Sequence, residues 1–246
     1  MDLGLAGRVY VVGGGSRGLG FAVARVLTEE GARVVLSGRD AASLATAVEA
    51  LGEPRATGAV ADSADPGSPE RLVAVALDRW GRLDGALVNS GGPPLGDALD
   101  VPDDAWRDSF ESVFLGAVRT ARAISANLSE GGSMAFVLST SARVPIPGLD
   151  ISNGLRPGLA MLTKSLSAQL GEQGIRVNAL LPGRIRTERT GLVDAGTTGS
   201  SGTTIPLGRV GEPAEFGRVA AFVLSPTASY LSGAVIPVDG AATRAY

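Results

Sequence analysis

The sequence predicts an α/β fold: a single doubly wound domain in which a seven-stranded parallel sheet has helices on both faces. Two observations support this prediction. Short apolar runs rich in β-branched residues alternate along the chain with longer amphipathic stretches, and a glycine-rich turn follows the first run. Strands that alternate with helices form a parallel sheet, because each helix returns the chain to the edge where the next strand begins. The 246 residues, 44% of them hydrophobic, can bury one large core.

The alternation continues from one end of the chain to the other. The predicted strands are Arg8–Gly13, Arg33–Ser37, Ala56–Ala61, Asp84–Asn89, Ser133–Ser139, Arg176–Leu181 and Ala234–Val238. The predicted helices are Leu19–Glu30, Ala41–Leu51, Pro69–Trp80, Asp103–Leu128, Gly158–Leu170 and Pro213–Leu224. No linker or internal repeat interrupts this order, so residues 1–246 are expected to form one domain. Ala195–Thr204 is almost entirely Gly, Ser and Thr, which is typical of a mobile loop, and a flexible lid is expected at about residues 188–206.

Composition excludes several classes of function. The chain has no cysteine and no histidine, which rules out disulfides, Ser-His and Cys-His catalytic pairs and the usual zinc sites. A general acid or base must therefore be Asp, Glu, Lys, Tyr, Ser or a water molecule. Charged residues make up 19% of the chain, the net charge is -3, and no basic patch is present, so we expect no nucleic-acid partner.

No secretion signal or membrane span is visible in the sequence. The longest uncharged stretch, Val219–Val238, contains Pro226 and Pro237 and fits a helix, a turn and a strand better than a bilayer span. We expect a cytoplasmic protein with no membrane partner.

The first chemical motif lies between the first strand and the first helix, in the segment V-V-G-G-G-S-R-G-L-G from Val11 to Gly20. Glycines let backbone N–H groups approach a pyrophosphate, and a helix N-terminus favours its negative charge. Taken alone, the segment also fits an ordinary strand-to-helix turn. The candidate cofactor-binding residues of this segment are Gly14, Ser16, Arg17, Gly18, Leu19 and Gly20.

The G-x-x-x-G-x-G spacing of this segment resembles the short-chain dehydrogenase/reductase family, whose domain is a Rossmann fold. Further segments match the same family in order, and the resemblance covers residues 5–241. It implies that Asp62, with Ser63, holds the adenine, that Asn89 and Gly91 follow the fourth strand, and that a Pro-Gly-x-x-x-Thr segment covers the nicotinamide. The residues of that last segment are Pro182, Gly183, Ile185 and Thr187. Gly13 departs from the pattern, since the family usually has Thr there.

The end of the second strand indicates which cofactor is bound. A site that prefers NAD places an acid there to hold the ribose 2′-hydroxyl. Here the strand ends in Ser37-Gly38-Arg39, with no acid. Arg39 and Arg17 could clamp a 2′-phosphate, because guanidinium forks match phosphate. The alternative is that both arginines are solvated surface charges. We favour NADP(H).

The reaction centre departs from the family. Ser139 occupies the place of the catalytic Ser at the end of the fifth strand, whereas Ser152 and Arg156 stand where the family keeps Tyr and Lys. The family's Asn falls near Val113. A serine hydroxyl is a poor general acid, and arginine stays charged. Pro157 disfavours a helical Arg156, so the helix could start at Pro157 and turn Arg156 away.

Three hypotheses remain open for the function. The first is an NADP(H)-dependent oxidoreductase acting on a small carbonyl or alcohol, with a water or an acidic group of the substrate as proton donor. The second is an NADP(H)-binding protein with little catalysis. A non-redox, dehalogenase-like enzyme is more remote. We also expect a homotetramer, or at least a dimer, because the helices Asp103–Leu128 and Gly158–Leu170 carry apolar residues on more than one face, among them Phe114, Val118, Leu159, Leu162 and Leu166.

Overall fold

A computed structural model describes residues 2–188, 190–191 and 205–245. It confirms the α/β class. The strands are β1 (Val9–Val12), β2 (Arg33–Gly38), β3 (Ala56–Val60), β4 (Gly85–Val88), β5 (Ser133–Val137), β6 (Arg176–Pro182) and β7 (Val235–Val238). They form one seven-stranded sheet in the order β3-β2-β1-β4-β5-β6-β7, and every pairing is parallel.

The helices of the described residues cover both faces of this sheet. They are α1 (Gly18–Glu29), α2 (Ala41–Leu51), α3 (Ser68–Trp80), α4 (Asp103–Ser109), α5 (Gly116–Ser125), α6 (Asp150–Gly171) and α7 (Pro213–Leu224). Side chains of β1 alternate between the faces: Val9 and Val11 join the core under α3, α5 and α6, whereas Tyr10 and Val12 join the core under α1, α2 and α7. This period of two is that of a strand buried on both sides.

The order of the strands places a crevice at the carboxyl edge of the sheet. From β1 the chain runs outward through β2 and β3, and it then returns to pair β4 with the other side of β1. The connections after β1 and β4 therefore leave the sheet in opposite directions. Open α/β sheets bind their ligands at such a switch point, outside the carboxyl ends of the strands.

The predicted helix Asp103–Leu128 is wrong in one respect, because it is not continuous. A π-helical turn, Phe110–Leu115, separates α4 from α5. At Gly116, directly after this turn, a β-carbon would lie 2.2 Å from the carbonyl oxygen of Ser63. The turn thus presses α5 against the loop after β3, a contact that apolar periodicity does not reveal. Single π-turns inside helices are rare and often lie at functional sites.

The start of α6 corrects a second expectation. The helix begins at Asp150, eight residues before the predicted start at Gly158, and it runs through Pro157. Proline in a helix loses one hydrogen bond. Burial of Ile151, Leu155 and Leu159 against the sheet offsets that loss, since each is at least nine-tenths buried. Arg156 therefore lies within the helix and is not displaced by the proline.

The lid expected at about residues 188–206 lies mostly outside the described residues, and it stays a prediction. Among the helices of the described part, none is both long enough and apolar enough to cross a bilayer.

Candidate active site

One continuous cleft runs along the carboxyl edge of the sheet, and it brings the predicted residues together. Ser139, Ser152 and Arg156 border it. So do all but one of the predicted cofactor-binding residues: Gly14, Ser16, Arg17, Gly18, Leu19, Arg39, Asp62, Ser63, Asn89, Gly91, Pro182, Gly183, Ile185 and Thr187. The exception is Gly20, which lies buried beneath the glycine turn. A β-carbon there would stand 2.2 Å from the carbonyl oxygen of Gly14.

The glycine turn has the shape of a phosphate cradle. Gly14 and Gly18 adopt φ angles of 57° and 59°, in the left-handed region that favours glycine. Gly18 is also the first residue of α1, so the positive end of the helix dipole faces the cleft. The turn is held against the neighbouring strand, since the amide of Asn89 donates to the carbonyl of Gly13 at 3.0 Å. These features fit a dinucleotide pyrophosphate.

The end of β2 presents a cation, and the acid that follows it caps a helix through one carboxylate oxygen. The Arg39 side chain is exposed on the cleft. The next residue, Asp40, is acidic, but its carboxylate caps α2 by accepting hydrogen bonds from the Ser43 N–H at 2.8 Å and the Ser43 hydroxyl at 2.6 Å. These bonds, and then the charge of Arg17, lower the pKa of Asp40. The carboxylate is thus committed to the helix cap.

Arg17 forms an ion pair with another residue of the cleft lining. Its Nη1 lies 2.9 Å from Oε2 of Glu188, and both side chains are largely exposed. Exposed pairs of this kind contribute little free energy, so the pair can open when a stronger anion is offered.

The adenine end of the cleft is formed by the loop after β3. Asp62 is exposed and accepts a hydrogen bond from the Ala64 N–H at 3.0 Å. Ser16, on the other side, lies so close to β2 that a β-carbon on Gly38 would be 3.3 Å from its hydroxyl.

The reaction centre contains three serines, one of which the sequence prediction did not include. Ser139 ends the connection from β5 and accepts a hydrogen bond from the Ser141 N–H at 3.1 Å. The Ser141 hydroxyl in turn lies 3.0 Å from the Ser152 hydroxyl. Ser141 and Ser152 are buried, whereas Ser139 is partly open to the cleft. No motif marked Ser141, because its contact with Ser152 depends on how α6 packs against the turn after β5.

Arg156 follows Ser152 by one helical turn and is 95% buried. Its Nη1 donates to the carbonyl of Val137, the last residue of β5, at 2.9 Å. The guanidinium thus lies beneath the reaction centre and brings a permanent positive charge to it. Val113, near the place of the family's Asn, is buried in the π-helical turn and has no polar group to offer.

The loop after Ser139 forms one wall of the cleft, and Asn153 holds it in place. The Asn153 amide accepts from the Ile146 N–H at 2.9 Å and donates to the Ile146 carbonyl at 3.0 Å. It also donates to Asp150 at 2.8 Å, whose other oxygen accepts from the Ala98 N–H. The sequence prediction did not include Asn153, whose role becomes visible only once loop and helix are in contact.

The segment predicted to cover the nicotinamide lies on the opposite wall. The Gly183 N–H donates to the carbonyl of Val238 at 3.0 Å, and a β-carbon on Gly183 would lie 2.5 Å from that of Asp239. Only glycine fits this approach. Thr187 lies at the end of the segment, and its hydroxyl is 3.0 Å from that of Thr190.

The described part of the cleft lining holds no Tyr and no Lys. Burial raises the pKa of Tyr10 well above its ordinary value, and its hydroxyl points to the carbonyl of Leu224 in the core. Tyr230 is fully exposed away from the cleft, and Tyr246 lies outside the described residues. Within those residues no group of three or more acidic side chains could hold a metal.

Known proteins share this architecture over nearly the whole chain. A family model described as enoyl-(acyl carrier protein) reductase matches residues 14–243. The L-rhamnose 1-dehydrogenase (NAD(P)(+)) of Azotobacter vinelandii is 35% identical over 248 residues, with 96% of each chain covered.

Two solved structures are also close in shape. The NADPH-bound short-chain oxidoreductase of Pseudomonas aeruginosa, described as containing an atypical catalytic centre, is 27% identical, with a TM-score of 0.90 over 97% of this chain and 98% of that one. The L-sorbose reductase of Gluconobacter frateurii, in complex with NADPH and L-sorbose, is 27% identical, with a TM-score of 0.92 over 100% of both chains.

The chain belongs to the short-chain dehydrogenase/reductase family. Its members reported above are dehydrogenases or reductases; the relative from Azotobacter vinelandii is named for NAD(P)(+), and both solved structures contain NADPH. The resemblance drawn from the glycine spacing and the motifs after it is thereby confirmed.

Proposed function

We propose that the protein is an NADP(H)-dependent oxidoreductase that acts on a carbonyl or alcohol substrate through a reaction centre built of serines and an arginine. The observation that carries the cofactor preference is the end of β2. There Arg39 is exposed on the cleft while the adjacent carboxylate, Asp40, is engaged in capping α2. A 2′-phosphate would meet a guanidinium fork, whereas the nearest acid already has its Oδ1 engaged in two hydrogen bonds of the helix cap.

Different residues of the cleft would contact different parts of the cofactor. Gly14, Ser16, Gly18 and Leu19 would hold the pyrophosphate at the start of α1, over the space that Gly20 leaves open. Arg39 and Arg17 would hold the 2′-phosphate. Asp62 and Ser63 would contact the adenine. Asn89 and Gly91 would line the adjoining ribose side of the cleft. The nicotinamide would be covered by Pro182, Gly183, Ile185 and Thr187. When bound, the reduced nicotinamide supplies a hydride.

The side chains at the reaction centre are better suited to polarising a substrate carbonyl than to transferring a proton to it. Ser139, partly open to the cleft, would donate a hydrogen bond to a carbonyl oxygen. The buried charge of Arg156 would stabilise the oxyanion that forms there. Ser152 is bonded to Ser141, and its aliphatic hydroxyl is a weak acid. The proton would therefore come from water or from the substrate.

A thermal-shift titration with NADP(H) and NAD(H) tests the cofactor assignment. NADP(H) should raise the melting temperature more than NAD(H) at equal concentration. Arg39→Asp should remove that difference by weakening NADP(H) selectively. Arg218→Asp, an exposed charge reversal on α7 outside the cleft, is the matched control and should leave it unchanged. Equal stabilisation of the parent protein by both cofactors would contradict the proposal.

A second candidate function is an NADP(H)-binding protein with little turnover. The observation that favours it is the missing Tyr and Lys in the described cleft lining. Loss of a positioned acid typically costs about 10²–10⁴-fold in rate. Tight NADPH binding without oxidation of NADPH by any member of a ketone and aldehyde panel would select this function over the first.

A further inference from the structure

One part of the cleft lining is formed by Ser139, Ser152 and the loop from Val144 to Leu149. We name it the Ser152 recess. It is bordered by Ser139 and Ser152 at its base and by the apolar wall Val144, Pro145, Ile146, Pro147 and Leu149. Val144, Pro145 and Pro147 are exposed on this wall. Apolar side chains exposed on a concave surface with few polar groups are typical of a ligand subsite.

The wall of the recess is preformed. The two prolines restrict its backbone, and the Asn153 amide makes both hydrogen bonds to Ile146. The far end of the loop is also fixed, since the Gly96 N–H donates to the carbonyl of Gly148 at 2.8 Å. A rigid apolar wall suits a flat, rigid group, because neither partner loses much conformational freedom on contact.

The polar end of the recess carries one positive charge and hydroxyl groups. Arg156 lies one helical turn beyond Ser152, and both residues border the cleft together with Ser139. The described lining of the cleft offers carboxylates only at Asp62, Glu188 and Glu212, outside the recess. An occupant with an acidic hydroxyl at one end and an apolar body would match both ends of the recess.

We propose that the Ser152 recess binds an aryl hydroxyl group of the substrate, and that this hydroxyl donates the proton that the reaction requires. The aromatic ring packs on the wall from Val144 to Leu149. The hydroxyl lies next to Ser152, where the positive charge of Arg156 stabilises the aryloxide. A phenol has a pKa of about 10, much closer to neutral than that of a serine hydroxyl. This inference names the substrate class and rests on the proposed function.

The proposed step balances. The carbonyl carbon gains the hydride of the reduced nicotinamide, which breaks the π bond of the C=O group. The carbonyl oxygen takes the proton of the aryl hydroxyl and becomes an alcohol, leaving an aryloxide beside Arg156. The aryloxide regains its proton from water. Ser139 holds the carbonyl oxygen by a hydrogen bond and keeps its own proton.

Binding is tested without any turnover. Ligand-observed NMR on the cofactor-free protein should detect saturable binding of 4-methylphenol and much weaker binding of 4-methylanisole, its methyl ether. The ether keeps the ring but has lost the acidic hydroxyl. Equal binding of the two compounds, or binding of neither, would overturn the proposal. This readout is independent of NADP(H), so its failure is distinguishable from a failure of the proposed function.

Reduction rates test whether the hydroxyl that donates the proton belongs to the substrate. Hydroxyaryl ketones should be reduced faster than their methyl ethers by a factor approaching about 10², the lower end of what a positioned acid supplies. Free 4-methylphenol should also accelerate reduction of cyclohexanone, saturably and by a smaller factor. Equal rates for the hydroxyl and ether ketones would overturn the proposal. Acceleration by free 4-methylphenol alone would assign the recess to a separate phenol and overturn the substrate assignment.

Two variants test whether 4-methylphenol binds in the Ser152 recess. Ser152→Tyr and Ser152→Phe both fill it with a ring, and only the first brings a hydroxyl. Both should abolish 4-methylphenol binding, and thermal unfolding and NADP(H) binding report whether each has folded. If the aromatic variants do not fold, Ile146→Trp narrows the recess from the wall and should weaken 4-methylphenol binding at least several-fold. Undiminished binding in a folded variant would overturn the location.

Discussion

Ser152 and Arg156 lie at the centre of the cleft, yet neither side chain exchanges a proton near neutral pH. Both are 95% buried and one helical turn apart on α6. Because α6 runs through Pro157 without ending, both positions lie on one continuous helix, and a side chain substituted at either position projects from that helix. The chemistry of this centre is therefore limited by residue type and not by placement.

Ser152→Tyr combined with Arg156→Lys should raise the reduction of generic ketones by up to about 10²–10⁴-fold, because a phenol beside a lysine can transfer a proton near neutral pH. Initial rates of NADPH oxidation over a ketone panel measure it. Pro157→Ala need not accompany the pair, since the proline does not displace the helix. Ser152→Phe with Arg156→Lys is the control that lacks the hydroxyl. A double variant no faster than its Ser152→Phe control would contradict the prediction.

The ion pair between Arg17 and Glu188 is expected to compete with cofactor binding. Glu188→Gln should tighten NADP(H) binding by up to about five-fold, since exposed pairs contribute about 1 kcal/mol at most. Arg17 would then be free to meet the 2′-phosphate. Isothermal titration at low salt measures the effect, which should shrink as salt is added. Glu49→Gln, on α2 and outside the cleft, is the control, and an unchanged affinity in Glu188→Gln would contradict the role given to Arg17.

At the scale of elements, the start of α7 supports the nicotinamide wall. Glu212 and Glu215 form a reciprocal capping box, and Arg209 pairs with Glu215 at 2.7 and 2.8 Å. The preceding residue, Gly211, exchanges two backbone hydrogen bonds with the nicotinamide segment, as donor to Arg184 and as acceptor from Arg186, each at 2.9 Å. The cap of one helix thus fixes the position of a cofactor-binding loop.

This cap gives the stability a defined pH dependence. The Arg209 side chain and then the Glu212 N–H lower the pKa of Glu215 from 4.5 to about 2. Because the pKa is depressed in the folded state, the stabilisation is complete above about pH 4.5 and is lost as pH falls toward 2. The difference in melting temperature between the parent and Glu215→Gln should therefore shrink over that window. Glu130→Gln is the control, and a constant difference would contradict the assignment.

α6 also shows how one element serves two purposes. Its inner face buries Ile151, Leu155 and Leu159 in the core, while its N-terminal turns carry Ser152 and Arg156 into the cleft. The outer face leaves Met161 exposed. Phe114, one of the apolar residues on which the prediction of a partner chain was based, packs against α6 at Gly158, where a β-carbon would lie 2.8 Å from its ring.

At the scale of the whole molecule, α6 and the neighbouring π-helical turn carry exposed apolar side chains. Met161 is 71% exposed, and Phe110, 45% exposed, stacks on Phe114 with ring centroids 5.2 Å apart. Exposed apolar groups grouped in this way favour contact with another chain. We keep the prediction of a homotetramer, or at least a dimer, through this surface.

Met161→Asp should dissociate that assembly, since it would bury a charge at the contact. Light scattering at micromolar concentration measures the mass of the parent and the variant. Met161→Leu keeps the apolar surface and should keep the parent's mass. A parent protein that is monomeric at this concentration would contradict the prediction.

The sequence by itself determined the architecture and the cofactor half of the site. Strand and helix periods, with glycines at fixed spacing, report local backbone geometry, and local geometry is encoded by neighbouring residues. The switch point follows from the parallel order. For this reason the predicted positions from Gly14 to Thr187 border one cleft, and only Gly20 lies beneath it.

The tertiary structure decided the details of the reaction centre. Local rules place a helix boundary at Pro157, but burial of the preceding turns against the sheet keeps Arg156 helical. The contact of Ser141 with Ser152 and the hold of Asn153 on Ile146 join α6 to the turn and loop after β5. Such contacts form because packing of the sheet and helices brings α6 against that connection, and no spacing within either segment encodes the distance between them.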